Sequence, residues 1–387
     1  MHFYPALWQT KDFLMRKHVA LSCAVVLAAM AGEALAVQYP VIDPGYSQQI
    51  YTGPLVGGPG LAWTNSGNML SRNGSDIIEY SPTQNTTYLG TNLHGSIATH
   101  SITGLFYNGV GMVKGLDGYM YAPGQAGLQR FNLSTWGPAQ TLAGTAAGPG
   151  YGATLLQDGR IVYNAGSGSN DIHIYNPGTG LDSTIYSASG LIDDIEAGPG
   201  GLIALAGQAN QQIIVINSSG TVLSQFTTTH YADGLAFGDG SASNALFSNN
   251  NDGTITRYSW SSGISGAPSS MLDIAGVSGA YGDLASVGPD CAFYVSQFNN
   301  AWTAHGNVFG IGTNWDLPTT TADGSIIRIA STAGGADGLP ECGFYNVYEH
   351  VPEPATFATI GMASVGLLFR RRTAVIGAAR PAHRRRV

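Results

Sequence analysis

The feature that most limits what this chain can become is a repeat. Asp233–Tyr258 reads as one unit. An acidic residue and a glycine lead into a short apolar run, Leu235–Phe237, and a Gly/Asp turn follows. A second run, Ala245–Ser248, reaches the Asn-Asp-Gly turn Asn251–Gly253, and a third, Thr254–Tyr258, alternates. Six copies align on the first run. Trp63, Val113, Leu156, Ala197, Phe237 and Val287 fall in corresponding positions, 50, 43, 41, 40 and 50 residues apart. A period of roughly 40–45 residues with strand-turn-strand content is the signature of a propeller blade.

The expected architecture is therefore all-β, a six-bladed propeller of four-stranded antiparallel sheets. One such sheet cannot cover both of its faces; packing six around an axis does, and leaves few exposed edges. The composition suits short strands and tight turns, with 54 glycines and only 10% charged residues. A β-sandwich or a right-handed β-helix is the competing reading, although a β-helix needs shorter rungs. Segments such as Gly220–Thr229 and Thr184–Ala188 suit the outer strands. Closure of a ring needs a blade built from both ends of the chain. Val37–Leu55 and Gly343–Glu349 are the candidates, and the sequence does not say which supplies what. Gln297–Asp323 interrupts the sixth copy and carries Trp302, His305, Trp315 and Asp316, either as a binding loop or as a cap over the closure.

Both ends of the chain differ from the body. Residues 1–36 read as a secretory signal, with Lys11, Arg16 and Lys17 ahead of the apolar run Val19–Ala31 and a small-x-small site at Ala34-Leu35-Ala36. A membrane anchor is the alternative, but the run is short for a span. Cys23 lies inside that run and does not make a lipobox. A mature chain from Val37 keeps Cys291 and Cys342, enough for one disulfide in an oxidising compartment, or for two free buried thiols.

At the other end, Val351-Pro352-Glu353-Pro354 precedes an apolar run, Ala355–Phe369, that stops at Arg370-Arg371-Arg372. Fifteen helical residues reach roughly 22 Å, less than the ~30 Å hydrocarbon core, which suits a temporary anchor. This order resembles the PEP-CTERM sorting signal of exported bacterial proteins. The resemblance implies a Gram-negative cell that makes exopolysaccharide, processing by a membrane-embedded exosortase at residues 351–372, and arginines that hold the tail on the cytoplasmic side. The protein would be tethered transiently at the inner membrane, then periplasmic, cell-surface or extracellular. The chain departs from that pattern in residues 373–387, which add a second basic cluster, Arg384–Arg386.

Between these ends, residues 37–350 form the expected propeller. From Val37 to His350 there are six Lys and Arg against twenty-one Asp and Glu. Such a body lacks the basic footprint of nucleic-acid binding. It suits a soluble acidic protein, or one that binds divalent cations.

The blade pattern Asp-Gly-Leu-Ala-Phe, turn, Leu-Phe-x-Ser, Ile-x-Arg-Tyr is similar to the six-bladed NHL and SMP-30/gluconolactonase-like propellers, over about Pro54–Thr332. The likeness is specific to the fold and weak on function. Four residues before each aligned position stand Pro59, Gly109, Gly152, Asp193, Asp233 and Asp283. In a propeller these entries converge on one mouth, so three carboxylates on adjacent blades would face each other. Either a divalent cation, Ca²⁺ first, joins them, or each caps its own turn. In the SMP-30-like enzymes such a metal polarises a lactone carbonyl, but the Glu and Asn ligands of that family find no convincing match in the first three blades. His230 stands three residues before Asp233. Asn249–Gly253 reads as a hairpin turn rather than a calcium loop. No Gly-x-Ser-x-Gly, His-Glu-x-x-His or P-loop is present.

The functional expectation is an exported, envelope- or matrix-associated propeller that binds exopolysaccharide or envelope proteins. The alternative is a metal-dependent lactonase- or lyase-like enzyme working at the acidic mouth.

Overall fold

The computed structural model describes residues 43, 45–52, 58, 60–88, 91–106, 110–276, 281–298, 324–332 and 343–347. Six antiparallel four-stranded sheets make six blades. Their innermost strands are Gly60–Trp63, Val113–Lys114, Ala153–Leu155, Ile195–Ala197, Ala232–Phe237 and Tyr281–Val287. Each inner strand touches the next, and the sixth touches the first, so the wheel is closed.

Burial follows from that arrangement. The apolar side chains gather into six clusters, one between each pair of neighbouring blades. Inner strands meet so closely that a side chain has no room at certain positions. A Cβ on Gly60 would overlap the Val110 carbonyl oxygen, and one on Gly111 would overlap that of Tyr151. Glycine here is a matter of backbone approach, not of turn geometry.

The ring is closed by the start of the chain. Tyr46–Thr52 pairs antiparallel with Gly324–Ser331 as the outermost strand of the sixth blade, from Tyr46 opposite Ser331 to Thr52 opposite Ile326. Blade one carries an addition: a small hairpin, Thr86–Tyr88 with Thr91–Leu93, lies between its third and fourth strands. The hairpin is tied to the closing strand, since His94 stacks on Tyr51 at 3.9 Å and its N–H donates to the Tyr51 carbonyl at 3.0 Å.

Gly343–Val347 adds no strand to a blade; it crosses the hub. Phe344 bridges Gly238, the Tyr345 N–H donates to the Phe237 carbonyl (2.8 Å), and Asn346 Nδ2 donates to the Gly288 carbonyl (2.7 Å). Phe344 packs on Phe293 and edge-on to Phe247. Val347 packs against the cluster between blades four and five and also the one between blades two and three, two gaps apart around the wheel. All these partners lie where the inner strands end, so this segment seals that end of the channel. The opposite end, where the inner strands begin, is the mouth.

Cys291 is disulfide-bonded. Cys342, its expected partner, lies outside the described residues, as do the expected signal at residues 1–36, most of Gln297–Asp323 and the whole C-terminal tail from residue 348.

Candidate functional site

The structure brings Asp193, Asp233 and Asp283 together at the mouth. Asp233 opens the inner strand of blade five, Asp283 sits in that of blade six, and Asp193 lies two residues before that of blade four. Asp193 and Asp233 are only 4% and 2% exposed. Their carboxyls hydrogen-bond to each other. Asp193 Oδ2 and Asp233 Oδ1 find no protein donor, and one proton shared between them satisfies both. Burial pushes the Asp233 carboxyl well above the usual range, and the charges of Asp193, Asp283 and Asp194 push it further.

The network extends further than these three. Asp194 Oδ2 accepts from the Leu235 N–H of the next blade at 2.8 Å, and burial raises its pKa to about 7. Asp283 caps its own backbone, accepting from the Leu284 N–H at 2.9 Å; burial, then the charge of Asp193, raise its pKa to about 7. Glu196 is pushed up first by burial and then by Asp194. Amide side chains crowd one oxygen, Asp233 Oδ2. Gln208 Nε2 donates to Asp233 Oδ2 at 3.4 Å. Asn251, with its amide turned to suit its neighbours, donates to Asp233 Oδ2 and to the Gly282 carbonyl (3.1 Å) and accepts from Gln208 Nε2 (2.7 Å).

Calcium takes six to eight oxygens from carboxylates, carbonyls and water. Here Asp193 Oδ2 and Asp233 Oδ1 are left to each other, while Asp233 Oδ2, Asp194 Oδ2 and Asp283 Oδ1 take N–H donors, an arrangement that suits a shared proton. Among the described residues no group of three or more His, Cys, Asp or Glu side chains is placed to hold a metal ion. His230 serves elsewhere: Nδ1 pairs with Asp252 Oδ2 at 2.5 Å and Nε2 with Asp273 Oδ2 at 3.3 Å. Asp252 also caps the Asn-Asp-Gly hairpin through the Thr254 N–H.

Sequence reasoning missed the side chains that pin the blades together beside the mouth. Asn249 Nδ2 donates to the carbonyls of Asp283 (2.5 Å) and Ser296 (3.1 Å). Asn164 accepts from the N–H groups of Tyr151 and Gly152 and donates to the Ile192 carbonyl. Arg72, fully buried, gives its guanidinium to the carbonyls of Gly74, Phe106 and Gly111. A signal was present in each case: a polar residue at the end of an apolar second strand, in LSRN, VYNA and FSNN.

Below the mouth the channel is narrow. Its cavity holds about 50 Å³, lined by inner strands of five blades and by Tyr345, Asn346 and Val347. At roughly 10–15 Å³ per water, that is space for a few waters.

The PEP-CTERM protein-sorting motif matches residues 350–372. The chain thus carries the mark of an exported protein that an exosortase processes and sorts to the cell envelope. The matched residues, among them Pro352, Glu353, Pro354, Arg370, Arg371 and Arg372, lie outside the described residues, and so does the apolar run Ala355–Phe369. Among the described residues no helix is long and apolar enough to cross a membrane. No curated protein matches the chain. Among solved structures, a streptogramin B lyase is similar at 13% identity and TM-score 0.46, over 74% of this chain and 98% of its own. A catalytically inactive variant of virginiamycin B lyase from Staphylococcus aureus, solved with quinupristin, is similar at 14% identity and TM-score 0.44, over 76% and 99%. Likenesses of this size say nothing of activity.

Proposed function

We propose that this chain is an envelope-sorted propeller that works by binding, as a scaffold among exopolysaccharide or envelope proteins, and not by turnover. The observation that carries this reading is the join of body and tail. Gly343–Val347 crosses the hub, and the sorting motif starts three residues further on, at residue 350. Pockets for small molecules usually enclose about 300–1,000 Å³, whereas the hub holds about 50 Å³. Contacts with a large partner are then left to the outside of the wheel. The tail acts as a transient inner-membrane anchor until it is cut, and the body then stays periplasmic, at the surface or outside the cell. The lactonase- or lyase-like alternative needs a divalent cation in the acidic mouth, where N–H donors already bond Asp233 Oδ2, Asp194 Oδ2 and Asp283 Oδ1.

Thermal-shift titration of the purified body separates the two readings. Exopolysaccharide or envelope extract is expected to raise the midpoint, and calcium alone is expected not to. A calcium shift that disappears in Asp233→Asn would favour the enzyme.

A further inference from the structure

The wheel has two unlike faces. The mouth face carries the buried carboxyls Asp193, Asp194, Asp233 and Asp283. The opposite, closed face carries the turns that leave the inner strands. Three of the four turn carboxylates there pair with cations, Asp117 with Arg130 at 3.8 Å, Asp158 with Arg160 at 2.6 Å and Asp290 with Arg328 at 2.7 Å, while Asp239 caps the Gly240 N–H at 2.8 Å. Lys114 stands at the same end, bonded to Asn65.

Apolar exposure is also one-sided. Of the seven large apolar side chains exposed among the described residues, Tyr231 alone precedes an inner strand, on the mouth side. Leu116 lies in a closed-face turn. Ile97, Leu181, Val222, Met271 and Leu272 lie within the first three residues of the outermost strands of blades one, three, four and five. Successive strands of a blade alternate in direction, so an outermost strand begins at the closed face. These side chains therefore form a collar around that rim, with Leu181 71% and Leu272 53% exposed.

The tail leaves from the centre of the same face. Val347 packs against two of the clusters between blades, two gaps apart around the hub. Five residues later, Pro352 lies within about 18 Å of it, because an extended chain spans at most ~3.6 Å per residue.

We propose that the propeller stands on its axis at the bilayer, with the closed face and its apolar collar seated on the lipid and the acidic mouth turned away. This inference rests on the reading of the tail as a membrane tether. The tail fixes the point of attachment, the collar supplies apolar contact, and the three ion pairs lessen on this face the repulsion that an acidic surface meets from anionic lipid. The inner strands of six or seven residues in blades five and six set the mouth roughly 20 Å higher.

The test uses uncleaved full-length protein in vesicles of phosphatidylethanolamine and phosphatidylglycerol. One fluorophore is attached through an unnatural amino acid, either at Gln157, exposed in a closed-face turn, or at Ala209, exposed in a mouth-face loop. Energy transfer to a lipid-borne acceptor is expected to be greater from Gln157 by roughly twofold or more, given the ~20 Å difference in height. Equal or reversed transfer in vesicle-bound protein overturns the orientation while the tether reading stands. Protein that does not bind vesicles overturns both. The double variant Leu181→Glu with Leu272→Glu is expected to stay vesicle-bound through its tail yet lose most of the difference. An unchanged difference would overturn the seating of the collar.

Discussion

Asp283 and Asp194 illustrate how single residues set the behaviour of the mouth. Burial lifts both to about 7, from a usual value near 3.8. A carboxyl raised in this way adds stability while protonated, below its unfolded-state value, and that stability is lost as pH rises through the folded value. Thermal melts should accordingly show a midpoint that falls from about pH 5 to about pH 8. Asp283→Asn should flatten the slope and melt higher than the parent at the upper end. A midpoint that rises over this range would refute the account. Asp193, Asp233 and Asp283 were legible in the sequence because they repeat at one blade position. Asp194 and Glu196 were not. Their place in the network depends on which way a side chain turns where two blades meet, as when Asp194 reaches the Leu235 N–H across the gap, and a repeat within one blade carries no information about its neighbour.

At the scale of elements, the distance between inner strands is the controlling quantity. Gly60 opens the inner strand of blade one opposite Arg72, and its missing Cβ leaves space for the Val110 carbonyl. Gly60→Ala must push that backbone aside. Overpacking against backbone should cost about 2–3 kcal/mol, seen as a lower midpoint in denaturant with an unchanged slope. A loss below about 0.5 kcal/mol, the level of an ordinary surface change, would mean that the blades separate more easily than their contacts imply. The elements themselves were largely readable, because short apolar runs between Gly and Asp turns leave little choice. The extra hairpin of blade one was not read. Its residues, TTYLGTNL, mix threonine and asparagine without the apolar alternation that marks a strand packed on a core, and it is held instead by stacking against Tyr51.

For the whole molecule, the sealing segment couples body to tail. Phe344, Tyr345 and Asn346 are at most 3% exposed and join blades five and six to the hub. A chain ended after Val347 should fold with nearly the parent midpoint. One ended after Cys342 should leave an apolar hub open, bind a hydrophobic dye and melt several degrees lower. Equal melts would show that the segment is a passenger. For the same reason, processing that preserves the body must cut beyond Val347. The wheel was legible from its period, whereas the way it closes was not. Both ends of the body offered plausible strands, and only pairing across the whole chain length decides between them.

That pairing has a consequence for timing. Tyr46 meets Ser331, so the first strand must wait for almost the entire body to emerge before it finds its place. Contacts this distant in sequence form slowly. A polypeptide that cannot lock its ring until its last blade appears stays open while it is being made, which suits a protein destined to leave the cell.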